Sequence, residues 1–428
     1  MNRFTGICSS GARSQLMGAR APNHVAAETF DRALDAFLRT SGDPLTCIQP
    51  TLLEHPHFVM GHVLVASVGV AAKHPRMLPT LRAALECAQA PGIEATEQER
   101  AHVVAAQAWR DGQPELAAER YTAILREWPH DLLALRLAQS CHFFVGRTPM
   151  LREVIETVWS SWTESMPGYE YLLAMAAFGY AENGDDGEAE ALGNRALAIQ
   201  PAFPFAIHAV AHALVGRGSY RQGALFMQQH RRHWDRNSQM VSHNAWHAAM
   251  FELESGQSAR ALEILDESIM PRITRAASDA ADATALLWRL ELDGIDPGAR
   301  WSLLSDCWVA HASPGYWPYL DVHAAIAFSA ARHTLRARML EQAISARARE
   351  IEPGREARAA ALFALRAVEA FSAGAHLEAR VTLCGLRSAL RQIGGSDAQH
   401  ELFSRMFAEA GRRLRAQTTT SAEWRVAA

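Results

Sequence analysis

Hydrophobic positions along this chain recur at helical spacing. Apolar residues fall three and four apart in short segments, and glycine or proline ends each segment. Gly112 closes one such run, and Ala117, Tyr121, Ile124 and Pro129 follow it at offsets of 5, 9, 12 and 17. Gly184, Ala189, Gly193, Ala196 and Pro201 repeat the same offsets. Glycine suits a left-handed helix end, a small residue lets the next helix approach, and proline stops that helix. Gly146, Gly218 and Gly256 take the equivalent place, so the glycines step by 34, 38, 34 and 38 residues, the period of a helix-turn-helix repeat. The small residues at the first offset are Ala117, Ala189, Gly223 and Ala261. A later copy runs through Gly374, Ala379 and Leu383, while segments around Trp288 and Asp321 read as degenerate copies without the glycine. Strict alternation of apolar and polar residues is missing, so the predicted class is all-α.

The pattern divides the chain into a flexible arm at 1–26, irregular helical pairs at 27–95, core repeats at 96–275, degenerate repeats at 276–415 and a disordered tail at 416–428. Pro44, Pro50, Pro56 and Pro75 are expected to break the helices of the second segment. The repeats resemble the tetratricopeptide repeat. In order, ERAHVVAAQAW, PHDLLALRLAQSCHFFVG, PGYEYLLAMAAFGYAENGDDGEAE, AIHAVAHALVGRG, SHNAWHAAMFELESG and DATALLWRLELDG resemble a particular family, the tetratricopeptide repeat protein 38-like proteins, over Phe30 to Pro353. That resemblance implies a right-handed α-solenoid of tetratricopeptide-like repeats closing around a central pocket. It assigns no reaction.

Composition narrows the partners. A net charge of −4 gives no long-range attraction to phosphate backbones, so nucleic acid is not an expected partner. The apolar stretch from Phe58 to Ala72 is shorter than the roughly 18 to 20 residues of a membrane span. Cys8, Cys47, Cys87, Cys141, Cys307 and Cys384 are widely spaced with no CxxC pair, which argues against a zinc knuckle or disulfide framework and fits a cytoplasmic location.

Histidine placement carries the chemistry. His208 and His212 are spaced i, i+4, as are His243 and His247, so each pair projects from one helix face. With the turn glycine as repeat position 15, the first pair falls at positions 5 and 9 and the second at 2 and 6. Positions 2, 5 and 9 line the concave surface of the tetratricopeptide family. His102 also takes position 5, as does His323 if His333 marks its turn, and Tyr171 and Phe178 take 2 and 9. Four inward imidazoles, with Asp282, Asp279 or Asp321 in support, suit a divalent transition metal such as zinc or iron. Ala209 and Asn244 follow His208 and His243, so neither pair is the HExxH of a zinc protease.

Without a metal, His212 or His247 could act in acid–base catalysis, oriented by Asp282 or Asp321, with His323 joining the set. Trp246 is placed to stack on a ligand ring, although tryptophans at repeat junctions more often serve packing. The stretch Gly315 to Asp321 is placed to gate the pocket or merely to connect repeats.

Peptide-clamping grooves carry Asn, Lys or Arg at inner positions. Here the reading finds His, Ala, Tyr and Phe, which favours a small ligand over a protein partner. Two functions remain: a His-lined pocket binding a small molecule or partner, and a small-molecule enzyme, metal-assisted or not, using the four histidines.

Overall fold

The computed structural model describes residues 12–234, 238–349 and 354–426, with side chains placed up to residue 417. Two short strands, β1 (Ala12–Arg13) and β2 (Arg20–Ala21), pair antiparallel, and the rest of the regular structure is helical. The first helical pairs are α1 (His24–Arg39) with α2 (Pro44–Glu54), and α3 (Val59–Ala71) with α4 (Leu78–Ala88). The core repeats are α5 (Glu97–Arg110) with α6 (Pro114–Glu127), and α7 (Leu132–Phe144) with α8 (Pro149–Trp159). Then come α9 (Tyr169–Ala181) with α10 (Asp186–Ile199), α11 (Pro204–Gly216) with α12 (Tyr220–Trp234), and α13 (Val241–Glu254) with α14 (Ser258–Ile264). The later pairs are α15 (Ala277–Leu292) with α16 (Arg300–His311), α17 (Pro318–Ala330) with α18 (Thr334–Ala348), and α19 (Arg355–Ser372) with α20 (His376–Leu386). A long helix, α21 (Asp397–Val426), follows them.

The two helices of a pair differ in kind. The first helices α9, α11, α13 and α17 are rich in alanine and buried around most of their circumference. Second helices bury a single stripe, which in α12 is Gly223, Met227 and Trp234. First helices therefore form an inner layer and second helices an outer one. Small residues set the spacing between layers. A Cβ on Gly223 would lie 2.3 Å from the ring of Phe251 in α13, and one on Gly193 would lie 2.4 Å from Val210 in α11.

Gly112, Gly146, Gly184, Gly218, Gly256 and Gly374 all have positive φ, between 64° and 83°, as helix ends of this kind require. The copy around Trp288 does possess its glycine: Gly294, with φ 84°, follows α15. Arg332 takes the same left-handed place after α17, and Thr40 and Lys73 take it after α1 and α3.

Three further expectations need correction. Pro50 lies inside α2 and does not break it, because contacts with α1 and α3 outweigh one lost hydrogen bond. The arm is ordered from residue 12, residues 1–11 lying outside the described residues. Its hairpin is fastened to α1 by Asp31, which accepts from Ser14 and from the Gln15 amide at 2.7 Å, and Met17, Ala19 and Ala21 are buried beneath it. The tail is helical through Val426, with 427–428 outside the described residues.

Repeats far apart in sequence also meet. The Gln239 amide donates to the Thr40 carbonyl at 2.8 Å, Phe144 stacks on Trp317 with centroids 5.4 Å apart, and Arg391 donates to Thr148 Oγ1 at 2.6 Å. Among the described residues the five cysteines are unpaired, and no helix is long and apolar enough to cross a membrane.

The contact between outer and inner layers gives a direct test. Gly223→Val should overpack the Phe251 site and lower unfolding free energy by about 1–3 kcal/mol in a urea titration. An unchanged midpoint would mean that the glycine does not set the layer spacing.

Candidate metal centre

The turns after α11 and α13 place these two inner helices side by side, and their i, i+4 histidines converge. Each of His208, His212, His243 and His247 offers a ring nitrogen, and these four atoms lie within 4.8 Å of one another. Ring centroids are 4.4 Å apart for His208 and His212, 4.8 Å for His208 and His243, and 4.7 Å for His212 and His247. The Nε2 atoms of His208 and His243 are 3.1 Å apart. Tetrahedral zinc, with Zn–N bonds of about 2.0–2.1 Å, needs nitrogens roughly 3.4 Å apart, so the spacing is of the right order.

Carboxylates fix the orientation of two rings. His212 Nδ1 donates to Glu182 at 2.7 Å, and His243 Nδ1 donates to Asp282 at 2.9 Å. Each ring is left with Nε2 free to accept or to ligate, the usual arrangement behind metal-bound histidine. The other two rings lack such partners. His247 is completely buried and neither of its nitrogens has a hydrogen-bond partner, nor do His208 Nδ1 and His212 Nε2. Orphaned polar atoms at this depth are rare in native proteins and call for an explanation such as an ion. Burial, followed by the charges of neighbouring histidines, pushes the pKa values of His208 and His247 well below the ordinary range, so both are neutral, lone-pair-bearing rings at pH 7.

His208, His212 and His243 open onto a cavity of about 220 Å³. Phe143, Phe178, Phe205, Trp317 and Tyr319 give it aromatic walls, and Lys73, Arg136, Asp279 and Asp282 supply charge. Burial, then the neighbouring Asp282, raises Asp279 to about 6. A second cavity of about 870 Å³ shares Lys73, Gln239, Ser278, Asp279 and Trp317 with the first and so lies next to it.

The structure brings together some of the residues marked in the sequence and separates others. Phe178 packs against His208 and His212 at centroid distances of 5.3 and 5.2 Å and lines the cavity. Trp246 lies behind the site, fully buried, parallel to the His243 ring and beneath Arg289. His102 is remote from the centre. It bonds Asp131 at 2.7 Å, and Asp131 in turn caps α7 through the Ala134 amide. Burial works to raise the pKa of Asp131, but His102 and these donors hold it below the usual range, as expected of a structural pair. Tyr171 ties α9 to α1 by donating to Asp35, and it does not line the cavity.

His323 donates from Nδ1 to the Tyr319 carbonyl at 2.7 Å and lies outside the four-histidine group. Asp321 accepts from the Gly315 amide at 2.9 Å and lines a separate, very small cavity. The stretch leading into α17 nevertheless contributes Trp317 and Tyr319 to the wall of the main site.

Three functional candidates escaped the sequence reading. Glu182 caps the end of α9, where a carboxylate faces the negative pole of the helix, and that unfavourable placement was its one signal. Arg136 occupies inner position 5 of its repeat, correcting the view that inner positions hold only His, Ala, Tyr and Phe. Lys73 stands where the repeat pattern elsewhere uses glycine. No protein-family model matches the chain.

Asp321 supplies a pH test away from the four-histidine centre. Burial raises its carboxyl to about 8, above its unfolded value of 3.8, so its stabilising contribution is complete below the unfolded pKa and is lost as pH rises through 8. The melting-temperature advantage of Asp321→Asn over the native protein should widen from pH 4 to 8 and level off above that. A constant difference across this range would contradict the assignment.

Proposed function

We propose that the chain is a tetratricopeptide-like protein of the 38-like kind, a right-handed superhelix closed around a central pocket, in which four histidines hold one divalent transition metal ion beside a small-molecule site. The observation that carries this reading is the convergence of four imidazoles, two oriented by carboxylates and one with both nitrogens unpartnered. Four uncharged ligands leave the charge of zinc or iron undiminished, so a bound ion would supply a Lewis acid.

Residues of the chain perform the remaining tasks. Glu182 and Asp282 hold protons on the Nδ1 atoms of His212 and His243 and aim their Nε2 atoms inward. Trp246 stacks against His243 and keeps water from that side of the ring. Phe178 and Phe205 present an apolar surface to a substrate. A purely structural ion would have no need of an adjoining cavity with charged groups, and this favours the enzyme over the docking scaffold. In this scheme Asp282 orients His243, while His102, Tyr171, Asp321 and His323 serve the fold.

Elemental analysis after reconstitution with zinc or ferrous iron should find one ion per chain, lost in His247→Ala and in the His208→Ala/His243→Ala double variant. Glu182→Gln and Asp282→Asn should keep the ion but bind it about 10- to 100-fold more weakly. A reconstituted native protein without metal, or a His247→Ala protein that retains it, would refute the reading.

A further inference from the structure

We propose that Lys73 and Arg136 form an anion subsite that holds the carboxylate of a small organic acid, placing the body of that molecule against the four-histidine centre. Both cations line the same cavity as His208, His212 and His243. The location of the reacting end rests on the metal reading above; the subsite itself rests on charge and packing.

Lys73 and Arg136 are half-buried and neither forms an ion pair among the described residues, although Asp279 and Asp282 line the same cavity. Burial lowers Lys73 to about 8 and Arg136 to about 10; the adjacent charge on Lys73 is the like charge of Arg136, and no carboxylate of the described residues offsets either. Aromatic rings hold them in place instead. Lys73 Nζ lies 4.9 Å from the Phe143 centroid and 5.5 Å from that of Trp317, and the Arg136 guanidinium lies 4.3 Å from that of Phe205. A guanidinium held over an aromatic ring can still offer paired N–H donors to a carboxylate.

The backbone adds an independent observation. Lys73 has φ 50°, in the left-handed region where Gly112, Gly146, Gly184, Gly218 and Gly256 close the corresponding turns. A lysine there bears both backbone strain and desolvation of its charge, and such doubly unfavourable residues cluster at ligand sites.

Volume and lining narrow the ligand. The cavity of about 220 Å³ falls below the roughly 300 Å³ at which drug-sized pockets begin, so the part of the occupant beside the histidines is small, and the adjoining cavity of about 870 Å³ continues past Lys73. Its Phe143, Phe178, Phe205, Trp317 and Tyr319 walls suit a flat or apolar body. A metal ion on the four histidines would add positive charge to that of Lys73 and Arg136, against the acids Asp279 and Asp282 that also line the cavity.

Isothermal titration of the metal-reconstituted full-length protein with benzoate, and with its neutral counterpart benzamide, tests the subsite. Benzoate should bind saturably and at least tenfold more tightly than benzamide. Lys73→Gly and Arg136→Met should each weaken benzoate at least tenfold while keeping the native metal content. Glycine suits φ 50° better than lysine, so Lys73→Gly should melt no lower than the native protein, which separates lost binding from lost folding. Benzoate binding no better than benzamide, or native benzoate affinity in both variants, overturns the proposal. If the protein holds no metal yet shows Lys73-dependent benzoate binding, the subsite stands and the metal reading alone falls.

Discussion

The approach of two inner helices is the constraint on which the site depends. α11 and α13 carry their histidines one turn apart, and four rings can meet only if the helix axes lie at close packing distance, about 8–10 Å. Missing side chains on the outer layer help to hold them there. Gly193 leaves room for Val210 of α11, and Gly223 leaves room for Phe251 of α13. A methyl group at either glycine would press on the helix that bears a histidine pair. The repeat is thus more than a scaffold, because its small-residue offsets set the geometry of the centre.

Given that geometry, electrostatics selects the chemistry. Burial, followed by the charges of neighbouring histidines, keeps His208 and His247 neutral. Glu182 and Asp282 accept from the Nδ1 atoms of His212 and His243, which turns the Nε2 atoms of these two rings toward the other histidines. Lys73 and Arg136 bring positive charge to the cavity, where Asp279 and Asp282 are the facing acids. On the proposed reading, the four histidines take a cation and the Lys73 and Arg136 side of the cavity takes an anion.

The sequence made the repeat legible because glycine, small-residue and proline positions act through local backbone geometry that period alone reveals. The two histidine pairs were legible for the same reason, since i, i+4 spacing fixes a shared face before any tertiary contact forms. Asp282 could be named as a supporting carboxylate, but its choice of His243 depends on how α15 meets α13. Glu182 was hidden because an acid beside a turn usually faces solvent, whereas here it is buried and accepts from His212 of α11. His102 shares a repeat position with His208, yet Asp131 from the following repeat captures it. Repeat position specifies direction, and the partner in the next helix decides the role. Lys73 and Arg136 belong to different repeats, and their meeting required the stacking of α3 on α7.

X-ray absorption at the metal K-edge of the reconstituted protein tests the central claim most directly. The account predicts a first shell containing four nitrogen scatterers at about 2.0–2.1 Å for zinc, with the outer-shell pattern of imidazole rings, and its collapse in the His247→Ala protein. A first shell made of sulfur or of oxygen alone, or a spectrum unchanged by His247→Ala, would contradict it.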